Sequence, residues 1–523
     1  MSRHARGVYL VQDGDRFRLF ERGGEQPVSA GFNATAFQSA AQTYAYTHIF
    51  GIQDDRHLLP EAALIALGDA MTKIPYDPAA QSAIPAGYTY LGQFIFHDIS
   101  LMTAHGAQRD KPLNERTPAL DLDSVLPSLR PADTAAGCRN SRPLALGCTS
   151  GDLDLAEDLP REPVGSPHAG KPRISDPRND DFLPLAQCHV TLIKFYNAVA
   201  RSQGYNPPHD DAWWANVRRI WVEHFQSVVL HDYLPRLVDP ATYNDVMQNG
   251  RKIVRTRLKT GNDAWLPAEF AGAVARFGHS MIRDTYTNWN RLLEFRKVTL
   301  ADFMRFSYAN STDTLEEHSY RLLVMWVTNW LRLFDFTGTQ YDGLAGPPIT
   351  AAPIDTSLAP SLAKLPECMR ADICKGYAHP DNTFPLQIQT LKRGLDLKLA
   401  SAQQAIAALN KVLPAPLPAL TAHQLIGADA NIAAVFQRYP RLGEATPLWY
   451  YTLREAEHFA QGQHLGPLGS RILMETIHAA IEASSDSILD HPGWRPAFPS
   501  ANGTHFSMPD LIAMAGHPNP LAP

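Results

Sequence analysis

Several things are scarce in this chain, and each scarcity closes off a class of protein. Its 523 residues hold no apolar run long enough for a membrane-spanning helix. Cysteine is scarce too: Cys138, Cys148, Cys188, Cys368 and Cys374 are odd in number and lack the paired spacing of zinc sites. A reduced, cytoplasmic protein is the expectation, with a Cys138–Cys148 pairing open only under oxidation. Excess charge is absent, since 47 Lys and Arg against 53 Asp and Glu leave −6. That balance speaks against nucleic acid or an anionic membrane as the main partner. The basic opening, Met1 to Leu10, has no hydrophobic stretch behind it, so no secretory signal is expected. Strand-like alternation is rare, and no repeat of fixed period is visible.

What is present is organised around Tyr90-Leu91-Gly92-Gln93-Phe94-Ile95-Phe96-His97-Asp98-Ile99-Ser100. The stretch has the apolar content of a buried helix, interrupted by Gln93, His97 and Asp98. On a helix Gln93 and His97 share a face while Asp98 is turned about 100° away. An imidazole and an amide can thus enter one pocket while a carboxylate serves another, and buried polar groups call for partners at both places. A lone His-Asp pair in such a helix is most often a core histidine bonded to a carbonyl. Three further segments weigh against that reading.

The mainly α pattern predicts helices in 36–75, notably Glu61 to Leu67, then a long one through Leu185, Ile193, Phe195, Tyr196 and Val199, and another from about Asp211 to Leu230. Further helices are expected over 267–296, 300–308, 315–335, 399–411, 421–437, 448–459 and 468–488, with a capped one near Phe506 to Ile512. A small hairpin is expected within 8–30, turning at Gly23-Gly24. Residues 104–180 read as a long loop region, rich in Pro, Gly, Asp and Arg, of the kind that is usually functional or mobile. Within it, Arg116-Thr117-Pro118-Ala119-Leu120-Asp121-Leu122-Asp123-Ser124 can aim several hard oxygen ligands at one point, which is the chemistry calcium needs. Taken alone, such an Asp-rich turn is usually just solvated. Asp176-Pro177-Arg178-Asn179-Asp180-Asp181 reads as the start of a helix, with carboxylates in its first turn.

These segments, in this order, together with Arg276-Phe277-Gly278-His279-Ser280, Thr446-Pro447-Leu448-Trp449-Tyr450-Tyr451 and Leu465-Gly466-Pro467-Leu468-Gly469-Ser470-Arg471, resemble the animal-type haem peroxidase superfamily, and most its bacterial branch. The resemblance covers about residues 80–515. It implies one large helical domain with haem between core helices, an N-terminal extension over 1–79 packed on it, and a tail over 516–523. It implies His97 as the distal histidine, Gln93 as its pocket neighbour, Arg178 as the distal arginine and His279 as the ligand to haem iron. Asp98, Thr117, the Ala119 carbonyl, Asp121 and Asp123 match the calcium loop. Gln403 falls where the family has an Asn or Gln bonding the proximal imidazole, although Gln404 beside it leaves a plain surface glutamine open, and Arg276 matches a haem-propionate contact. Phe96 and Asp181 stand where members with ester-linked haem carry Asp and Glu, and Phe182 replaces the Met of a third link. Phe96 cannot form an ester and Asp181 is a methylene shorter, so haem b is expected to be non-covalent or held by at most one ester.

The implied function is reduction of hydrogen peroxide with oxidation of small electron-rich donors. A neutral imidazole suits a proton shuttle, a fixed guanidinium suits developing negative charge, and a second imidazole suits iron. Fatty-acid dioxygenases of the superfamily need a Tyr three residues before the proximal histidine, where this chain has Arg276. A non-enzymatic haem-binding protein is the other alternative. A metallohydrolase built on His97 and Asp98 lacks further ligands at suitable spacing.

Overall fold

The computed structural model describes residues 8–13, 16–21, 44–103, 112–126, 144–163, 165, 170–206, 209–254, 264–305, 321–364 and 385–522. Strands β1 (Val8–Asp13) and β2 (Arg16–Glu21) pair antiparallel. The expected hairpin therefore exists but turns between Asp13 and Arg16, ahead of Gly23-Gly24. Strand β3 (Tyr44–Thr47) pairs antiparallel with β5 (Leu113–Asn114) and parallel with β6 (Trp265–Pro267); β4 (Met102–Thr103) completes the order β4-β5-β3-β6. The 36–75 stretch thus holds a strand as well as helix α1 (Glu61–Met71).

The organising stretch is helix α2 (Gly87–Ile99), which buries Tyr88, Tyr90, Leu91, Phe94, Ile95 and Ile99 and ends where Ser100 turns extended. It packs against α3 (Leu183–Ser202), which in turn packs on α4 (Asp211–Val228). Helix α4 starts at Asp210, whose side chain accepts from the Trp213 amide, and runs into a π-type turn over Val229–Tyr233. That turn carries Tyr233 against α2. A Cβ on Gly92 would lie 2.3 Å from the Tyr233 hydroxyl, so only glycine allows this approach. Beside it, Tyr88 donates to Asp232 at 2.7–2.8 Å.

The proximal segment differs from the long helix expected over 267–296. Helix α5 (Ala268–Gly272) stops at Ala273 (φ −136°, ψ −69°), a 3-10 turn follows over Val274–His279, and a hairpin of β7 (Thr285–Thr287) and β8 (Lys297–Thr299) comes next. The small residues that suggested continuous helix instead allow a break. Similarly, 321–335 holds only the 3-10 turns Val324–Trp326 and Trp330–Arg332. The remaining helices include α6 (Leu386–Asp396), α7 (Ala402–Leu409), α8 (Leu448–Ala460), α9 (Pro467–Ala483) and α10 (Met508–Ala515), the last with the capping box of Ser507 and Asp510. Among the described residues the chain is mainly α.

Cys138, Cys368 and Cys374 lie outside the described residues. Cys188 is a buried free thiol. Cys148 is disulfide-bonded, with its partner outside the described residues, which corrects the expectation of a fully reduced set.

Candidate functional site

Helix α2 presents His97 and Asp98 to two different neighbourhoods, as the helical period requires. His97 Nδ1 lies 2.9 Å from Asn179 Oδ1, and Asn179 Nδ2 lies 3.1 Å from His189 Nδ1 on α3. An amide oxygen only accepts, so His97 Nδ1 carries the hydrogen and Nε2 keeps its lone pair. Burial, and then the Arg178 charge, push the His97 imidazole down to about 3, so it is neutral at ordinary pH. Gln93 sits one turn earlier on the same helix and is half-buried.

Arg178 lies in the 3-10 turn Pro177–Asp180, capped by Asp176. Its Nε donates to Asp176 Oδ1 at 3.0 Å, and its Nη2 to Asp176 Oδ2 at 2.6 Å and to the His97 carbonyl at 3.1 Å. Among the described residues no hydrogen bond takes up Nη1. Burial alone would raise the Asp176 carboxyl, but Arg178 and Arg116 hold it well below the usual carboxylate range. Asp181 is half-buried after this turn, its amide donating to the Arg178 carbonyl at 3.1 Å.

Across the site, His279 ends the 3-10 turn, with the Trp449 ring 6.4 Å away; Trp449 Nε1 donates to the Arg276 carbonyl at 3.1 Å. Among the described residues, His279 Nδ1 and Arg276 Nε are buried without a hydrogen-bond partner. Burial and then Arg276 push the His279 imidazole down to about 3. The Arg276 guanidinium is pushed down to about 9 by burial and by Arg393. An arginine does not give up its proton, so burial and the neighbouring Arg393 leave a charged group that an anion would stabilise. Arg178, Arg276 and Arg393 all act on the Tyr46 hydroxyl of β3. A neutral imidazole with an unbonded ring nitrogen, beside the buried Arg276 cation whose Nε has no hydrogen-bond partner among the described residues, fits haem and a propionate. Phe96 packs edge-on against Phe270 (5.4 Å) and Phe277 (6.3 Å), so one ring bridges the distal helix and the proximal turn. Phe182 is buried against Tyr90 and Phe303, as core.

Gln403 requires a correction. Its Nε2 donates to the Gly443 carbonyl (3.1 Å) and Thr446 Oγ1 (2.8 Å), and its Oε1 accepts from the Thr446 amide (2.9 Å). The amide is thus committed to the 443–446 turn and does not bond His279.

On the other side of α2, ligand oxygens of Asp98, Asp121 and Asp123 lie within 4.8 Å of one another. Asp98 accepts from the Leu122 amide (2.9 Å) and from the Ser124 amide and hydroxyl (3.1 and 2.6 Å). Leu122 sits at φ +60°, a left-handed conformation that costs about 1–2 kcal/mol for a branched residue. Thr117 Oγ1 donates to Asp123 at 2.8 Å, and the Ala119 carbonyl accepts from the Asp121 amide at 3.1 Å. Among the described residues, Asp121 Oδ1 is buried without a hydrogen-bond partner. Burial and then the Asp123 charge push Asp98 up to about 7 and Asp121 up to about 8. Three crowded carboxylates with an unused lone pair fit a hard divalent cation.

Sequence reasoning singled out His97 and Arg178, which the structure joins at 3.1 Å, Arg276 and His279, which share one turn, and Asp98, Asp121 and Asp123, whose carboxylates cluster. It passed over Asn179, His189, Asp176, Arg116 and Arg393. Asp176 and Asn179 flank Arg178 in sequence, and Asp176 was visible only as a turn start.

Residues 109–329 match the family model described as animal haem peroxidase, a span that takes in the acidic loop, Arg178 and His279. "Heme peroxidase 2" of Caenorhabditis elegans is 33% identical over 111 residues, or 21% of this chain and 16% of that protein's length. Among solved structures, peroxidase A from Dictyostelium discoideum aligns at a TM-score of 0.55 and 14% identity, covering 91% of this chain and 95% of that one, which speaks for the fold. Residues 109–329, with the acidic loop, Arg178 and His279, are thus similar to the animal haem peroxidase family, and the chain as a whole shares the fold of a solved peroxidase.

Proposed function

We propose that this protein reduces hydrogen peroxide with haem while oxidising small, electron-rich organic compounds. The observation that carries the reading is a neutral His97 locked by Asn179 beside an Arg178 whose Nη1 edge takes no hydrogen bond among the described residues. His279 would ligate the iron and Arg276 would meet a propionate. Bound haem would supply the electrons that break the peroxide O–O bond and take them back from the donor. His97 Nε2 takes the proton of incoming peroxide and returns it to the departing oxygen, while Asn179 keeps the ring from turning. Arg178 faces the charge that builds on that oxygen and stays protonated throughout. Asp98, Thr117, the Ala119 carbonyl, Asp121 and Asp123 would hold calcium, fixing the helix that carries His97. Phe96 offers no carboxylate for an ester, and Asp181 is the one left at the linking positions. This chain therefore withdraws less electron density from the group, which favours phenol-like donors over halides.

Stopped-flow mixing with peroxide, followed in the haem absorbance, tests the assignment. His97→Ala should slow the first step by about 10²–10⁴-fold and Arg178→Ala by about 10²–10³-fold, with later reduction by donor much less affected. Parent rates in both variants would remove these residues from the chemistry and favour a haem-binding protein without turnover.

A further inference from the structure

We propose that Asp176, itself gripped by Arg116, is the positioning residue that aims the free edge of Arg178 at the peroxide side of the pocket. The proposal rests on the peroxidase reading given above.

Asp176 is fully buried and serves two guanidinium groups. Its Oδ1 accepts from the Arg178 amide (3.1 Å) and Arg178 Nε (3.0 Å); its Oδ2 accepts from Arg178 Nη2 (2.6 Å) and Arg116 Nε (3.2 Å). Two parallel bonds from Nε and Nη2 form a fork that fixes the plane of the Arg178 guanidinium as well as its place. The second Nη2 hydrogen goes to the His97 carbonyl, so the arginine is tied to the helix that carries its partner. Three of five donors are spent, and the two on Nη1 remain for a ligand. Pro177 at the first position of the 3-10 turn holds the backbone between Asp176 and Arg178.

Arg116 keeps the clamp from shifting. Besides Asp176, it donates to the Ser175 carbonyl at 2.9 Å and lies 3.7 Å from Asp123 Oδ1. The acidic cluster, Arg116, Asp176 and Arg178 thus form one buried alternation of charge, ending at the His97 backbone. A carboxylate needed only to cap a turn would require neither a second guanidinium nor a fork.

The two roles separate in Asp176→Asn. Asparagine caps a helix turn as well as aspartate, but its single acceptor oxygen cannot hold both Nε and Nη2. The probe is fluoride, a small anion that binds ferric haem and takes a hydrogen bond from an aimed guanidinium. With the haem-loaded, calcium-replete protein, Asp176→Asn should retain the parent Soret spectrum and near-UV circular dichroism. Its fluoride dissociation constant should rise about ten- to a hundredfold, the worth of a charge-assisted hydrogen bond. Arg116→Gln should move it the same way by less, and Arg178→Ala sets the upper limit. An Asp176→Asn affinity within about twofold of parent, with Arg178→Ala clearly weakened, would overturn the positioning role alone. If Asp176→Asn does not fold, Arg116→Gln decides by the same measure: weakened fluoride supports the clamp and parent affinity overturns it. Parent affinity in Arg178→Ala would overturn the clamp together with the assignment of Arg178 to the peroxide side.

Discussion

A primary amide has an acceptor and two donors to place, and at Gln403 both ends go to the turn at Gly443 and Thr446. The side chain therefore fastens helix α7 to the approach of α8, and its removal strands groups of Thr446, which is fully buried. Gln403→Leu should cost about 1–3 kcal/mol in denaturant unfolding while the axial-ligand signature of the haem absorbance stays that of the parent. A changed proximal spectrum would return Gln403 to the imidazole. The contrast with His97 and Arg178 explains what could be read from the sequence at this scale. His97 announces itself because a polar residue in an apolar helix needs a reason. Asn179 and Asp176 sit in a polar loop where any residue is unremarkable, and their roles arise only from contacts to His97, His189 and Arg116 distant in the chain. Gln403 shows the reverse error, since a position one residue either way on a short helix changes which neighbour an amide meets.

Between elements, the closest approach near the site is that of the π-type turn to α2. Gly92→Ala puts a methyl where the Tyr233 hydroxyl stands, 2.3 Å away, so it should destabilise by about 1–3 kcal/mol and displace the turn before His97. Tyr233→Phe removes that oxygen, and in a double-mutant cycle it should recover part of the loss; a purely additive pair would mean the clash is elsewhere. Helix α4 supplies a pH dependence. His224 Nδ1 donates to the Ile220 carbonyl (2.7 Å) and Nε2 accepts from the Ala497 amide (2.9 Å), leaving no place for a second proton. Burial pushes this imidazole down to about 4 from the usual 6.5. The unfolded chain therefore takes up a proton below about pH 6.5 that the folded one refuses, and stability falls from there toward pH 4. His224→Gln removes that titration, so urea midpoints should place it nearer to the parent at pH 5 than at pH 7. A constant gap would show that His224 does not contribute to acid sensitivity. The long amphipathic helices α2, α3 and α4 were legible because periodicity and burial agree along many turns. The proximal segment was not, because its small residues suit close helix packing and a break alike, and the helix stops after Gly272 at Ala273.

At the scale of the molecule, the acidic loop is a junction. The Leu120 amide donates to the Ala480 carbonyl of α9 (2.9 Å), Gln226 of α4 donates to the Leu120 carbonyl (2.8 Å), Arg218 of α4 meets Asp121 (3.3 Å), and Asp98 belongs to α2. A cation there would bind three separate helices through one loop. Chelation should lower the thermal midpoint and added calcium restore it, the stabilisation at a hundredfold excess over the dissociation constant being about 2.7 kcal/mol. An unchanged midpoint would argue against calcium at this place. The four-stranded sheet is completed late in synthesis. Strand β3 takes one partner from residues 113–114 and the other only from Trp265–Pro267. During synthesis at ordinary rates, roughly ten to forty seconds separate the emergence of β3 from that of β6. Throughout that interval one edge of β3 has no neighbour, the condition under which strands find foreign ones. The arginines and histidine that would greet a propionate and an iron come later still, up to Arg393. A chain growing on the ribosome thus carries an open strand edge before the residues proposed to hold haem have all emerged.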